Sequence, residues 1–431
     1  MSPADSTAAI EAVYRVEFPR VVAALAGFTG DLALAEEVTQ DALVDALRQW
    51  PRDGTPRNPG AWLTTVAKRK AIDVFRRDRL SVSKYAEIGR ELEITSPFDA
   101  NDPALHVDSD DEIDDDRLRL IFVACHPVLA MTARVALTLR LVGGLTVAEI
   151  ARAYVVPEAT IAQRIVRAKK SIADAAVPFE VPSGEDRLSR LGAVLEVIYL
   201  IFNEGYSATA GEDWVRPDLC AEALRLGRAL SALMPREPEV CGLVALMELH
   251  ASRLRARTGP TGAPILLLEQ DRRLWDRLHI ARGEAALARA DDLAVHRGPY
   301  TLQAAIAACH ARAFHPEETD WKQIATLYTE LARLTPSPVV ELNRAVAVSR
   351  ASGPAEALAL VDLLVATGTL ERYHWLYSVR GDLLEQLGRA EEAAVEFERA
   401  AALAGNHQER ALLTERARAS RGIAPATRDA E

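Results

Sequence analysis

An all-α chain is predicted by three features. Apolar residues recur at the helical rather than the strand period, the composition is rich in Ala, Leu, Glu and Arg with few aromatics, and Gly/Pro clusters punctuate the periodic stretches. At 431 residues the chain is too long for one hydrophobic core, so two to four domains are expected.

A first helix is expected around Tyr14, Phe18, Val21 and Leu25, a second from Asp31 to Trp50, and a third from Gly60 to about Arg79. Pro51, Pro56 and Pro59 are expected to break the chain between the last two. These helices make a first domain over residues 1–80. Residues 81–116 lose periodicity, and 96–116 hold nine Asp or Glu and no Lys or Arg, the composition of a solvated linker. A second helical domain follows over 117–180. After Pro178, Pro182, Ser183 and Gly184, residues 181–431 read as helices joined by short Gly/Pro turns. Near their end Ala345, Ala357, Val361 and Leu364 return 36 residues later as Gly381, Ala393, Phe397 and Ala400, with Gly388 in the turn. That order of small and large residues is similar to a tetratricopeptide (TPR) unit, where small residues let two antiparallel helices approach and the large one fills the gap. A TPR-like helical solenoid is therefore expected here.

Several classes are disfavoured. The apolar runs Leu191–Phe202 and Ile265–Leu268 are far shorter than the roughly 20 residues of a membrane span, and the N-terminus shows no secretory pattern, so a cytoplasmic protein without a membrane partner is expected. Cys125, Cys220, Cys241 and Cys309 are widely spaced, which favours buried reduced thiols over disulfides. His126 beside Cys125 has no second ligand pair, so no metal is expected. Asn203 and Glu204 fit a helix-ending turn at Gly205 better than a ligand site. Without a Walker loop, a nucleotide fingerprint or a nucleophile constellation, neither an enzyme nor a cofactor is expected.

The formal net charge of −11 opposes DNA binding, but the basic charge is segregated into residues 68–79 and 164–170. The second segment lies in a helix-turn-helix pattern. Thr146 and Glu149 form a capping box, with Leu145 and Ile150 as its hydrophobic staple, and Pro157 suits the first turn of the next helix. In that helix Ile161 and Ile165 face inward while Gln163, Arg164, Arg167 and Lys170 share an outer face, chemistry suited to base edges and phosphates. Val155 stands where Gly is common, so the turn is expected to avoid positive φ. The pattern alone fits an ordinary capped hairpin with a solvated basic face equally well.

The helix from Gly60 turns Leu63, Val66, Ala67 and Val74 inward and is expected to extend Lys68, Arg69, Arg76, Arg77 and Arg79 outward, with Trp62 at its start. An aromatic beside cations suits single-stranded DNA, although a core Trp beside a solvated charge run fits as well. The preceding helix exposes Glu37, Gln40, Asp41 and Asp45, a face suited to a basic protein partner.

In this order the elements resemble bacterial RNA polymerase sigma factors of the extracytoplasmic-function (ECF) type. Ala35–Ala42, Ala61-Trp62-Leu63 and Ala71–Arg77 are similar to sigma region two, and Arg134–Leu141 with the helix-turn-helix and its Arg167-Ala168-Lys169 ending to region four. Asp116–Phe122, Cys125-His126-Pro127 and Tyr199–Tyr206 resemble the subgroup with a long TPR-like extension. The resemblance implies core RNA polymerase and promoter DNA as partners. Glu37, Gln40, Asp41 and Asp45 would dock on the polymerase. Trp62, Lys68, Arg69, Asp73, Arg76 and Arg77 would hold the minus-ten element, and Thr160, Gln163, Arg164, Arg167, Lys169 and Lys170 the minus-thirty-five element. The loop from Pro51 to Pro59 would help form a pocket for a flipped base. The C-terminal domain would contact a protein partner or the sigma domains themselves. A freestanding helix-turn-helix regulator and a TPR scaffold are the rival readings.

Overall fold

The computed structural model describes residues 17–86, 110–154, 156–207, 214–259 and 263–422. Among them the chain is α-helical, apart from short 3-10 turns and a single bridge between Thr258 and Pro264, as the helical periodicity predicted. It divides into two compact units, residues 1–197 and 198–431.

In the first unit α1 (17–29) precedes α2 (Leu32–Asp53) and α3 (Pro59–Ala86). The Asp31 carboxylate caps α2 by accepting the backbone N–H groups of Ala33 (2.7 Å) and Leu34 (3.1 Å). Pro51 does not break this helix. It falls in the last turn, and α2 ends only at Gly54, whose φ of 85° other residues rarely adopt. Phe18, Val22, Leu25, Val38, Ala42, Trp50, Leu63 and Ala67 form the buried core of these helices.

The helix α3 continues six residues past the domain edge expected at residue 80, and α4 (Asp110–Ala124) starts inside the expected linker. The acidic run Asp110–Asp116 thus occupies the first turns of a helix, where the macrodipole favours negative charge. The rest of that linker, 87–109, lies outside the described residues. Next come α5 (Met131–Leu141), α6 (Val147–Ala153) and α7 (Glu158–Asp174), whose core includes Phe122, Leu137, Leu141, Ile150, Ile161 and Ile165.

The second unit takes up the end of α8 (Gly184–Tyr206) and continues through α9 (Pro217–Leu233), α10 (Pro238–Ala251), α11 (Arg277–Leu293), α12 (Pro299–Arg312) and α13 (Trp321–Leu334). It ends in α14 (Pro338–Ser352), α15 (Pro354–Thr367), α16 (His374–Gln386), α17 (Ala390–Leu403) and α18 (His407–Ser420). Leu246, Leu249, Trp275, Leu302, Ile306 and Leu327 build one core, and Leu342, Val361, Tyr377, Leu384 and Phe397 another. The 36-residue repeat maps onto the pairs α14/α15 and α16/α17, and all of its positions are buried except the partly buried Leu364. Gly381 is required there: a Cβ would lie 2.8 Å from the Phe397 ring, closer than real Cβ contacts.

All four cysteines are buried and none is in a disulfide. Cys125 Sγ lies 3.3 Å from Thr138 Oγ1, and burial pushes its thiol up to about 12. Among the described residues no helix is long and apolar enough to cross a membrane, and no cluster of His, Cys, Asp and Glu could hold a metal ion. His126 Nδ1 instead accepts the Val128 N–H at 3.1 Å.

Candidate nucleic-acid interface

The helix-turn-helix is built as its sequence requires. The Thr146 backbone N–H donates to Glu149 Oε2 (2.8 Å) and the Glu149 N–H to Thr146 Oγ1 (3.2 Å), which satisfies two donors that α6 would otherwise leave open. Ile161, Ile165, Ala168 and Ile172 are buried, so α7 is anchored along one stripe, and Ile150 of α6 is buried as well. On its other side Gln163, Arg167 and Lys170 are exposed, and Arg164 and Thr160 are half-buried. Pro157 stands at the N-cap, one residue before the helix proper. The expectation about Val155 lies outside the described residues.

Lys169 departs from the expected DNA-binding set. It follows Ala168 toward the buried side, and its Nζ donates to Glu36 Oε2 at 2.8 Å. Glu36 belongs to α2, 133 residues away, and its side chain is only 5% exposed. Its Oε1 accepts from Arg140 Nε of α5 and from Gln40 Nε2, both at 2.8 Å. Arg140 in turn donates Nη1 to the Leu145 carbonyl (3.0 Å), next to the capping box, and lies 5.0 Å from the Phe18 ring centroid. One carboxylate therefore ties α2 to α5 and α7. Burial works against its ionisation, but hydrogen bonds and charges from Lys169 and Arg140 outweigh it and hold the Glu36 pKa below the usual carboxylate range. A second close approach lies between α1 and α4, where a Cβ at Gly27 would come 3.1 Å from an Asp116 oxygen.

Along the outer face of α2, Glu37, Gln40 and Asp41 are exposed as expected. Asp45 is half-buried and pairs with Lys70 Nζ of α3 at 2.9 Å, so its charge is partly neutralised locally. Sequence reasoning missed Val44 and Leu47, which are exposed on this helix and give the face an apolar element. It also missed Glu36, whose signal was a charge in phase with the buried positions Leu32, Thr39 and Leu43.

On α3, Arg69, Asp73, Arg76 and Arg77 are exposed. The expectation for Lys68 is corrected: it is 7% exposed, with Nζ 5.9 Å from the Phe28 ring centroid, its stem buried along apolar surface. Trp62 is half-buried and meets Trp50 edge-on at 5.4 Å, so only part of its ring faces outward. The side chain of Arg79 lies outside the described residues.

Residues 13–80 match the family described as Sigma-70 region 2, and residues 119–172 the family described as Sigma-70, region 4. Residues 190–291 match a family of unknown function, DUF6596. An uncharacterized protein of Rhizobium meliloti (strain 1021) is 49% identical over 402 residues, which is 92% of each chain. The ECF RNA polymerase sigma factor SigK of Mycobacterium ulcerans (strain Agy99) is 31% identical over 148 residues, 34% of this chain and 74% of that protein. SigK of Mycobacterium bovis (strain BCG / Pasteur 1173P2) is 29% identical over 143 residues, 33% of this chain and 72% of its own.

A region 2 bundle followed by a region 4 helix-turn-helix defines a sigma-type transcription initiation factor, a regulatory protein that binds core RNA polymerase and promoter DNA rather than a catalytic enzyme. Within that class the chain belongs to the ECF RNA polymerase sigma factors and carries a helical C-terminal extension.

Proposed function

We propose that the contacts around Glu36 hold the free factor in a closed resting form, which must open before the protein serves in initiation. The observation that carries this reading is the buried Glu36 carboxylate, bonded at 2.8 Å to both Arg140 and Lys169. The minus-ten and minus-thirty-five elements stand roughly 25 base pairs apart, about 85 Å at 3.4 Å per base pair. Two domains reading both elements cannot keep a side-chain ion pair between them.

In the open form Glu37, Gln40 and Asp41, with Val44 and Leu47 among them, dock on core polymerase. The α3 residues Arg69, Asp73, Arg76 and Arg77 hold the melted minus-ten strand, with Trp62 beside them. Thr160, Gln163, Arg164, Arg167 and Lys170 of α7 read the upstream element, where the freed Lys169 joins them. Residues 181–431, a TPR-like array of helix pairs, regulate this opening by contacting the sigma domains or a partner protein in the cytoplasm.

Labels at the exposed positions Gln49 of α2 and Asp174 of α7 test the central claim. Their separation should be short in the free protein and rise to tens of ångströms on core polymerase; an unchanged distance defeats the closed form. The same measurement on a chain stopped near Pro182 tests the regulation. If the distance distribution is the same with and without the C-terminal residues, they do not control opening.

Two substitution sets test the faces. Glu37→Lys with Asp41→Lys is expected to weaken core binding and its salt dependence, as measured by pull-down over a salt series, because both charges are exposed and free to steer a basic partner. Tight binding by the double variant would place the docking surface elsewhere. On α7, Arg164→Ala should cost about 1–3 kcal/mol and relax selectivity at one upstream base, whereas Arg167→Ala should weaken all promoters alike. Promoter-variant transcription separates the two, and unchanged upstream selectivity for Arg164→Ala removes it as a base contact.

A further inference from the structure

The second compact unit holds a cationic cluster for which polymerase docking and promoter reading have no use. Arg253, Arg257 and Arg272 are 9%, 7% and 5% exposed. They are interleaved with aromatic rings. The Arg257 guanidinium lies 3.6 Å from the Tyr206 ring centroid and 4.4 Å from that of Trp214. Arg253 lies 5.7 Å from Tyr206 and 5.6 Å from Trp275, and Arg272 lies 4.9 Å from Trp275.

Among the described residues the cluster has no paired counter-charge. Among the described residues no carboxylate forms an ion pair with any of the three, and Glu317 and Glu318 act on Arg272 only at longer range. Elsewhere the protein pairs its buried charges: Glu36 has Arg140 and Lys169, and Glu248 has Arg228 and His279. A buried cation without an anion is unfavourable, so its charge is ordinarily matched by something.

The three arginines are also unequal. Arg272 is a staple, donating Nη1 to the carbonyls of His310 (2.7 Å) and Ala313 (2.8 Å) and Nη2 to Thr319 Oγ1 (3.2 Å). Arg257 uses only Nη2, on the Tyr206 carbonyl at 2.9 Å, and Arg253 uses only Nη2, on Tyr206 Oη at 2.5 Å and His250 Nδ1 at 2.9 Å. Among the described residues Arg257 Nε, Arg272 Nε and the indole N–H groups of Trp214 and Trp275 are buried without acceptors. The open groups are donors on two cations and two rings. The same field reaches the neighbouring histidines: burial first, then Arg253 and Arg257, hold His250 well below its usual pKa, and burial with Arg253 and Arg272 takes His310 to about 3.

We propose that Arg253 and Arg257 form a binding site for a small organic oxyanion, a carboxylate or a phosphate ester, whose organic part lies against Tyr206, Trp214 and Trp275. A guanidinium fork matches two oxygens of either group, and the desolvated rings strengthen that pairing. The site is independent of the closed-form reading, because binding is read on the free full chain without polymerase or DNA.

The test is thermal unfolding and tryptophan fluorescence of the full chain, titrated with inorganic phosphate or with citrate, against sodium chloride at matched ionic strength. A saturable rise in Tm of roughly 5–10 °C at a hundredfold excess over Kd is expected from one of the two, together with a change in tryptophan emission. Which anion acts distinguishes phosphate from carboxylate recognition. Arg257→Lys keeps the charge but loses the fork, and should weaken binding about tenfold or more. Should that variant fail to fold, Arg253→Lys carries the same expectation. If neither anion exceeds the chloride control, or if the Lys variant responds like the parent, the cluster is purely structural and the proposal fails.

Discussion

Replacing Glu36 with Gln is expected to destabilise the N-terminal unit by about 3–5 kcal/mol, the usual cost of removing one partner from a buried ion pair. The Arg140 side chain is 10% exposed and that of Lys169 19%, so the loss of the carboxylate falls on charges held largely away from water. The effect should be confined to the helices Glu36 joins, and hydrogen exchange in α2, α5 and α7 of the full chain would resolve it from the C-terminal unit. The acid dependence has a defined sign. Because the folded-state pKa of Glu36 lies below the unfolded value, its contribution is fully present above about pH 4.3 and is lost as pH falls through the folded pKa. Glu36→Gln should therefore lack the acid step of the parent. The same substitution should raise apparent affinity for core polymerase, since less free energy goes into opening the closed form. Unchanged exchange in α2 and α7 would show that the bridge contributes little. Lost protection without a gain in polymerase affinity would separate the bridge from regulation.

Phe397→Ala is the second large effect, expected at about 3–5 kcal/mol in the α14–α18 core. The ring is fully buried, packs directly on Gly381, and has the Arg416 guanidinium 4.2 Å from its centroid. Truncation leaves a cavity that five well-packed helices cannot readily close. Gly381→Ala alone should also be destabilising, because its Cβ meets the ring at 2.8 Å. Combined with Phe397→Ala it should cost less than the sum, since the added methyl enters the vacated space. Urea unfolding of the four proteins forms a double-mutant cycle. Additive costs would mean that the two positions do not share one packing site.

These two cases also mark what the sequence made legible. The Gly381–Phe397 pairing was readable because it depends on a local repeat whose helices are neighbours in the chain. The capping box at Thr146 and the inward Ile161 and Ile165 were readable for the same reason: spacing within one or two helices determines them. Lys68 lies inward of the expected outer face because helical period gives a direction only to within a broad sector, and a long flexible stem lets an amine near the edge of that sector turn either way. Glu36 was passed over because the partners that justify its burial lie 104 and 133 residues away. Arg253, Arg257 and Arg272 escaped notice for the related reason that their aromatic neighbours come from α8, from the segment before α9 and from the turn before α11. Even Pro51 reads as a breaker until its place in a final helical turn is known.

The four buried cysteines bear on what kind of signal this factor can receive. With thiols near 12, Cys125 and Cys220 carry roughly one part in 10⁵ of the reactive thiolate at neutral pH. Burial also pushes the Cys309 thiol up, and Cys241 is likewise enclosed. Peroxides and electrophiles attack thiolates that solvent can reach, so the folded protein offers them no fast target. An oxidative stimulus would have to be sensed elsewhere and relayed to this factor, and preparations of the folded chain should keep their thiols through ordinary aerobic handling.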